Sequence, residues 1–73
     1  MDTHNLVHMA NRIGQFFQAM PDRDEATAGI AEHIKKFWEP RMRRQLRAHL
    51  ASTQGEDLLP LVRDALRAHP EPA

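Results

Sequence analysis

The sequence has no cysteine and only three glycines among 73 residues. Without cysteine there is no disulfide scaffold, no thiolate metal site and no cysteine nucleophile. Three scattered glycines cannot build a phosphate-cradling loop. Apolar runs are only a few residues long, far short of the ~20 needed to cross a bilayer. The opening Met1-Asp2-Thr3-His4-Asn5 lacks the basic and apolar regions of a secretory signal, so the expectation is a cytoplasmic chain. A dominant charge sign is also missing: Lys plus Arg number 10 and Asp plus Glu number 10. That balance argues against a general polyanion-binding surface but leaves room for a local basic patch.

What is present suits a small globular domain, with 41% hydrophobic and 27% charged residues. The length excludes a second independent domain. A core this small leaves only a few kcal/mol of net stability, and such chains often lean on a metal, a disulfide or a partner. With disulfides excluded, a partner becomes the favoured support. A catalytic pocket would compete with the core for the same few apolar side chains.

Helix-period patterning runs through the chain, with no strand alternation. Over 3–20, Leu6, Met9, Ala10, Ile13, Phe16, Phe17 and Met20 fall in an arc of about 120°, the width of a core-facing stripe. His4, His8, Asn11 and Gln15 lie opposite, and Pro21 closes the element. A second helix over 23–38 starts from Asp22, with Glu25 in N3 register as a variant capping box. Its stripe is Ala26, Ile30, Ile34, Phe37 and Trp38, with His33 at the edge. Glu39 precedes a proline and is pushed out of the α region, while Pro40 suits the first position of a third helix over 40–51. There Met42, Leu46, His49 and Leu50 share one side. Ser52-Thr53-Gln54-Gly55 reads as a turn. A fourth helix over 58–69 carries Leu58, Leu59, Leu61, Val62, Ala65 and Leu66, its start lying between Asp57 and Pro60. Residues 70–73 read as a frayed tail. The expected fold is all-α, a compact bundle of four short helices forming a single domain over 1–73.

Charge is unevenly spread. Residues 1–34 sum to −3, residues 35–51 to +5 and residues 52–73 to −2. On the third helix Arg41, Arg43, Arg44 and Arg47 span roughly 160° of the circumference opposite Met42 and Leu46. Such a face is either solvated or a docking surface for an acidic partner, because arginine favours bidentate carboxylate contacts at interfaces. A phosphate backbone is the other anionic partner, disfavoured by the acidic flanks. The pairs Phe16-Phe17 and Phe37-Trp38 hold all four aromatics. Adjacent helical positions differ by ~100°, so the two rings of a pair cannot point the same way. Trp38 lies toward its stripe's edge, and tryptophan is enriched at interface hot spots. Gly14, mid-helix at a cost of ~1 kcal/mol relative to alanine, reads as a notch for a close helix approach beside Ala10.

The five histidines raise a metal reading that the spacing does not complete. His4 and His8 have chelating i, i+4 spacing but lack further ligands, and His33 and His49 read as polar tips at stripe edges. Ser52 and Thr53 lack the base and orienting group a nucleophile needs. No catalytic, cofactor-binding or metal-ligating residue is expected in this chain.

Two strings nevertheless carry a specific resemblance. Leu6-Val7-His8-Met9-Ala10-Asn11-Arg12-Ile13-Gly14-Gln15-Phe16-Phe17 resembles the opening of the delta subunit of NAD-dependent formate dehydrogenase. Ile30-Ala31-Glu32-His33-Ile34-Lys35-Lys36-Phe37-Trp38-Glu39-Pro40-Arg41-Met42-Arg43 is similar to that family's second signature. Order, spacing and length agree over about residues 6 to 50. Residues 52–73 add a last helix without a distinctive motif, and Leu59 before Pro60 is a poorer N-cap than the serine expected there.

The resemblance implies a cytoplasmic multi-subunit enzyme that oxidises formate to carbon dioxide and reduces NAD. It implies a molybdenum or tungsten pterin and iron–sulfur clusters in the large alpha subunit, and FMN and NAD on other subunits. It places the delta subunit outside the active centre, supporting quaternary structure or maturation of the catalytic subunit. On this basis the docking surface is expected at Trp38, Pro40, Arg41, Arg43, Arg44 and Arg47. The partners are other formate dehydrogenase subunits, the alpha subunit foremost. A small nucleic-acid-binding bundle using the same basic helix is the rival reading, and homodimerisation of the isolated chain is a third.

Overall fold

The computed structural model describes residues 2–71 and consists of four helices: α1 (Thr3–Phe17), α2 (Arg23–Phe37), α3 (Pro40–Thr53) and α4 (Pro60–Ala68). The helices form one bundle measuring 31 × 24 × 19 Å. α4 packs chiefly on α2, and α1 meets the other three helices. Among the described residues, no helix is long and apolar enough to cross a membrane.

Local chemistry accounts for the helix ends. Asp2 caps α1 by accepting from the His4 amide at 3.2 Å. α1 stops at Phe17, three residues short of the expected 20. Met20 precedes Pro21 and is barred from continuing an α-helix, so its amide closes a turn onto the Phe17 carbonyl instead. At α2 the Asp22 carboxylate accepts from Asp24 and Glu25 amides at 2.8 and 3.3 Å. Asp24 and Glu25 occupy the first turn of α2 and Lys35 and Lys36 the last, each matched to the helix dipole. Trp38 has already left the helix for an extended conformation, and the Trp38–Glu39 elbow leads into Pro40 at the head of α3.

α3 runs two residues beyond the expected 51, through Ser52 and Thr53. Both hydroxyls donate to the His49 carbonyl, at 3.2 and 2.8 Å, so these residues extend the helix rather than break it. The stop comes at Gln54 and Gly55, both left-handed at φ 66 and 68. α4 begins at Pro60, because Leu59 before it is held extended, and ends at Ala68, one residue before the expected 69.

The core draws on every helix: Leu6, Val7 and Ala10 from α1, Ala26, Ile30 and Ile34 from α2, Leu46 and Leu50 from α3, and Leu61, Val62, Ala65 and Leu66 from α4. Trp38 and Leu58 enter from the connections. The buried stripe of α1 is rotated from the expected arc. Val7 and Gly14 lie inside, Met9, Ile13 and Phe17 are partly covered, and Phe16 points to solvent. The Gly14 notch receives side chains rather than a helix backbone: a Cβ there would sit 2.5 Å from Val62 Cγ2 and 3.2 Å from Leu59 Cδ1. A second notch at Gly29 accepts the Phe17 ring, whose Cε1 would lie 2.5 Å from an added Cβ. α1 thus seats α4 at Gly14 and is itself seated on α2 at Gly29.

Candidate docking surface

The six residues expected to form a docking surface divide between the interior and solvent. Trp38 is only 6% exposed and belongs to the core at the α2–α3 elbow. Its extended backbone swings the indole inward, so the preceding residue, Phe37, faces out and is 69% exposed. Placing both rings on the α2 stripe, as the sequence pattern suggests, fails because the helix ends between them.

Arg43 and Arg47 also turn inward. Arg43 Nη1 donates to the carbonyls of Lys35 at 3.1 Å and Trp38 at 2.7 Å, tying the start of α3 to the end of α2. Its Nε lies 2.6 Å from Glu71 Oε1, but the N–H is not directed at that oxygen, so this contact is Coulombic rather than an aligned hydrogen bond. Arg47 donates through Nη1 to the Leu66 carbonyl at 2.8 Å and through Nη2 to the His69 carbonyl at 2.9 Å. Its Nε reaches Glu71 Oε2 at 3.3 Å. These carbonyls lie at helix ends, where the intrahelical ladder leaves acceptors unsatisfied. The two guanidiniums therefore serve as C-terminal caps for α2 and α4. Of the segment expected to fray, Pro70 and Glu71 are described, with the Glu71 carboxylate held between the two arginines; residues 72 and 73 lie outside the described residues.

Arg41 and Arg44 do face solvent, as does Pro40, and Lys35 and Lys36 lie exposed at the end of α2. Among the described residues, the ion pairs are Arg23–Asp64, Arg43–Glu71, Arg47–Glu71 and His49–Asp57, and none involves Lys35, Lys36, Arg41 or Arg44. The outward surplus of positive charge therefore lies along the elbow, four exposed cations against the one carboxylate of Glu39, and Phe37 sits in that stretch with its ring centroid 4.8 Å from that of His33. Two of the six cations between 35 and 51 are withdrawn by Glu71, which weakens any claim of this helix on a phosphate backbone.

At the opposite connection, Asn11 acts in a way its place on the polar face of α1 did not suggest. Its Nδ2 donates to the Asp57 carbonyl at 2.9 Å, and its Oδ1 accepts from the Leu59 amide at 2.9 Å. Arg63 folds back onto the Gly55 carbonyl at 3.1 Å, and His49 Nε2 lies 3.0 Å from both Asp57 carboxylate oxygens. Leu59 makes no side-chain cap, and Asn11 anchors the entry to α4 from another helix. A Leu-Pro start without a capping side chain was the available sequence signal; its remedy lay 48 positions away.

A groove of about 840 Å³ runs between α2 and the C-terminal segment; of the charged side chains that line it, Arg43 and Arg47 are bound to Glu71, while Glu32, Lys35 and Lys36 belong to none of the ion pairs among the described residues. Among the described residues, no three His, Cys, Asp or Glu side chains gather closely enough to hold a metal ion. His4 and His8 are exposed.

Comparison with curated proteins and with solved structures returns no match. The profile of the family described as NADH-dependent formate dehydrogenase delta subunit FdsD matches residues 5–66, a span reaching from α1 into α4 and including both strings that carry the resemblance. The chain belongs to the family of formate dehydrogenase delta subunits.

Proposed function

We propose that the chain is a non-catalytic accessory subunit of a cytoplasmic NAD-dependent formate dehydrogenase, docking onto the large alpha subunit and supporting either quaternary structure or maturation of that subunit. The family match over residues 5–66 carries this reading. In it the molybdenum or tungsten pterin, the iron–sulfur clusters, FMN and NAD belong to the partner subunits, and this chain contributes a surface.

The six residues expected at that surface take two roles. Arg41 and Arg44 are the outward cations that meet carboxylates on the partner, where arginine offers bidentate geometry. Pro40 sets the direction of α3 at its first position. Trp38, Arg43 and Arg47 hold the elbow and the end of α4 in place behind them. The test is recovery of the tagged chain from its native host, with the copurifying subunits identified and formate-dependent NAD reduction assayed. Wild type should bring down the large subunits with activity. Reversing Arg41 and Arg44 to glutamate should sharply reduce that recovery while leaving the helical circular dichroism intact. Unchanged recovery of the double variant would refute the surface assignment. Recovery of an inactive, cofactor-poor alpha subunit alone would select maturation over a permanent structural role.

A further inference from the structure

We propose that Phe37, rather than its neighbour Trp38, is the anchor of the docking surface, and that it enters an apolar pocket on a partner protein whose rim carries carboxylates. The inference rests on the subunit reading above and goes on to name the contact.

A single exposed apolar side chain is ordinary on a protein surface, and Phe16 at 75% is even more exposed than Phe37 at 69%. Their surroundings separate them. Phe16 has Arg12 one turn earlier, and the chain beyond it passes through Asp22, Arg23, Asp24 and Glu25, a mixed stretch with an acidic surplus, whereas the stretch from Lys35 to Arg44 has Glu39 as its one acidic residue. Phe37 sits directly after Lys35 and Lys36 and shortly before Arg41 and Arg44, all exposed and outside every ion pair among the described residues.

The elbow keeps these groups together. Phe37 and Arg41 are four positions apart, which limits their Cα distance to ~14 Å, and Arg44 lies ~5 Å further along α3. Arg43, bound to the Lys35 and Trp38 carbonyls, fixes the angle between the helices. The Phe37 ring is already packed against His33, at 4.8 Å and a 43° tilt, so less side-chain freedom remains to be lost on binding.

The placement of charge also runs against local helix chemistry. Beyond its N-cap Glu39, α3 has no acidic residue in its first turn, while Arg41 stands in it and Arg44 just beyond, near the positive end of the helix dipole. Locally unfavourable placement of this kind is characteristic of functional surfaces. An apolar knob on a stretch with a surplus of exposed cations fits an apolar socket with an acidic rim. The ring supplies most of the affinity, while the cations steer the approach and set the orientation.

The experiment titrates the full chain against the remaining formate dehydrogenase subunits, purified without it, at low and moderate salt. Wild type should bind, with affinity falling as salt rises. Phe37→Ala should weaken binding by ~30-fold or more while keeping the salt dependence, and Phe16→Ala should bind as wild type does. Arg41→Glu with Arg44→Glu should slow association and flatten the salt dependence. Thermal melting of Phe37→Ala within a few degrees of wild type separates lost contact from lost fold, and Phe37→Leu should show an intermediate loss. Wild-type-like binding by Phe37→Ala would overturn this inference and leave the subunit reading standing. Absence of wild-type binding would overturn both, as would tighter binding to duplex DNA than to the subunits in the same buffer.

Discussion

The two aromatic pairs are near copies in sequence and opposites in consequence. Each stands at the end of a helix, and each sends one ring inward and one outward. At the end of α1 the second ring, Phe17, packs over Gly29 in a partly covered seam, and Phe16 meets it edge-on with centroids 5.2 Å apart. At the end of α2 the second ring, Trp38, enters the core, and Phe37 is left among cations. The difference comes from the backbone just beyond each pair. After Phe17 the backbone continues through Gln18 before turning, so both rings keep helical spacing and neither goes deep. After Phe37 the helix ends at once, and the extended Trp38 points its ring into the space between α2 and α3. Thus the α2 end joins the most buried aromatic to the most basic stretch of the chain.

Substitutions test that contrast, and the largest effect should come from Trp38→Ala. Removing a nearly fully buried tryptophan costs about 3–5 kcal/mol, enough to unfold much of so small a domain. Chemical denaturation followed by circular dichroism would register it, and Phe17→Ala should cost clearly less because its ring is only partly covered.

Gly14→Ala comes next. The new Cβ would meet the buried, β-branched Val62, which has little room to move, so a loss of about 1–3 kcal/mol is expected despite alanine's better helix propensity. Gly29→Ala should cost less, because the partly exposed Phe17 ring can swing aside; comparing the two melting temperatures checks the ranking. A Gly14→Ala, Val62→Ala double variant should be less destabilised than the sum of its parts.

Arg43→Ala leaves the Trp38 carbonyl without its partner and the Glu71 carboxylate with Arg47 alone. It should cost about 1–3 kcal/mol, with faster hydrogen exchange at the elbow as the local signature. Arg41→Ala removes an exposed side chain that belongs to none of the ion pairs among the described residues and should change stability by less than about 0.5 kcal/mol. The smallest stability effects belong to Phe16→Ala and Phe37→Ala, again within about 0.5 kcal/mol. There the contrast moves entirely to binding, since only the Phe37 variant should lose the partner.

Much of the architecture was legible in the residues. Asp22 capping α2, Pro40 opening α3 and the all-helical periodicity are short-range matters, and each stands where local chemistry puts it. The rule that a residue before proline leaves the helix also explains the boundaries that apolar periodicity alone sets too wide, at Met20 and at Leu59. The surface was less legible. The helical wheel places Arg43 and Arg47 beside Arg41 and Arg44, yet long flexible side chains go where acceptors wait, and theirs were the carbonyls ending α2 and α4.

Four helices, their caps and breaks, the even charge balance and the basic block in the middle of the chain are all written in the order of residues, because these depend on neighbours within a turn or two. Packing in three dimensions was needed for Asn11 to anchor the start of α4, for Glu71 to neutralise two of the arginines, and for Trp38 to go in while Phe37 stayed out. Those outcomes join groups that are distant in sequence, or hang on the angle at one elbow. They are fixed only when the packed helices bring a donor to an otherwise unsatisfied acceptor or an apolar ring to a space that water would have to leave.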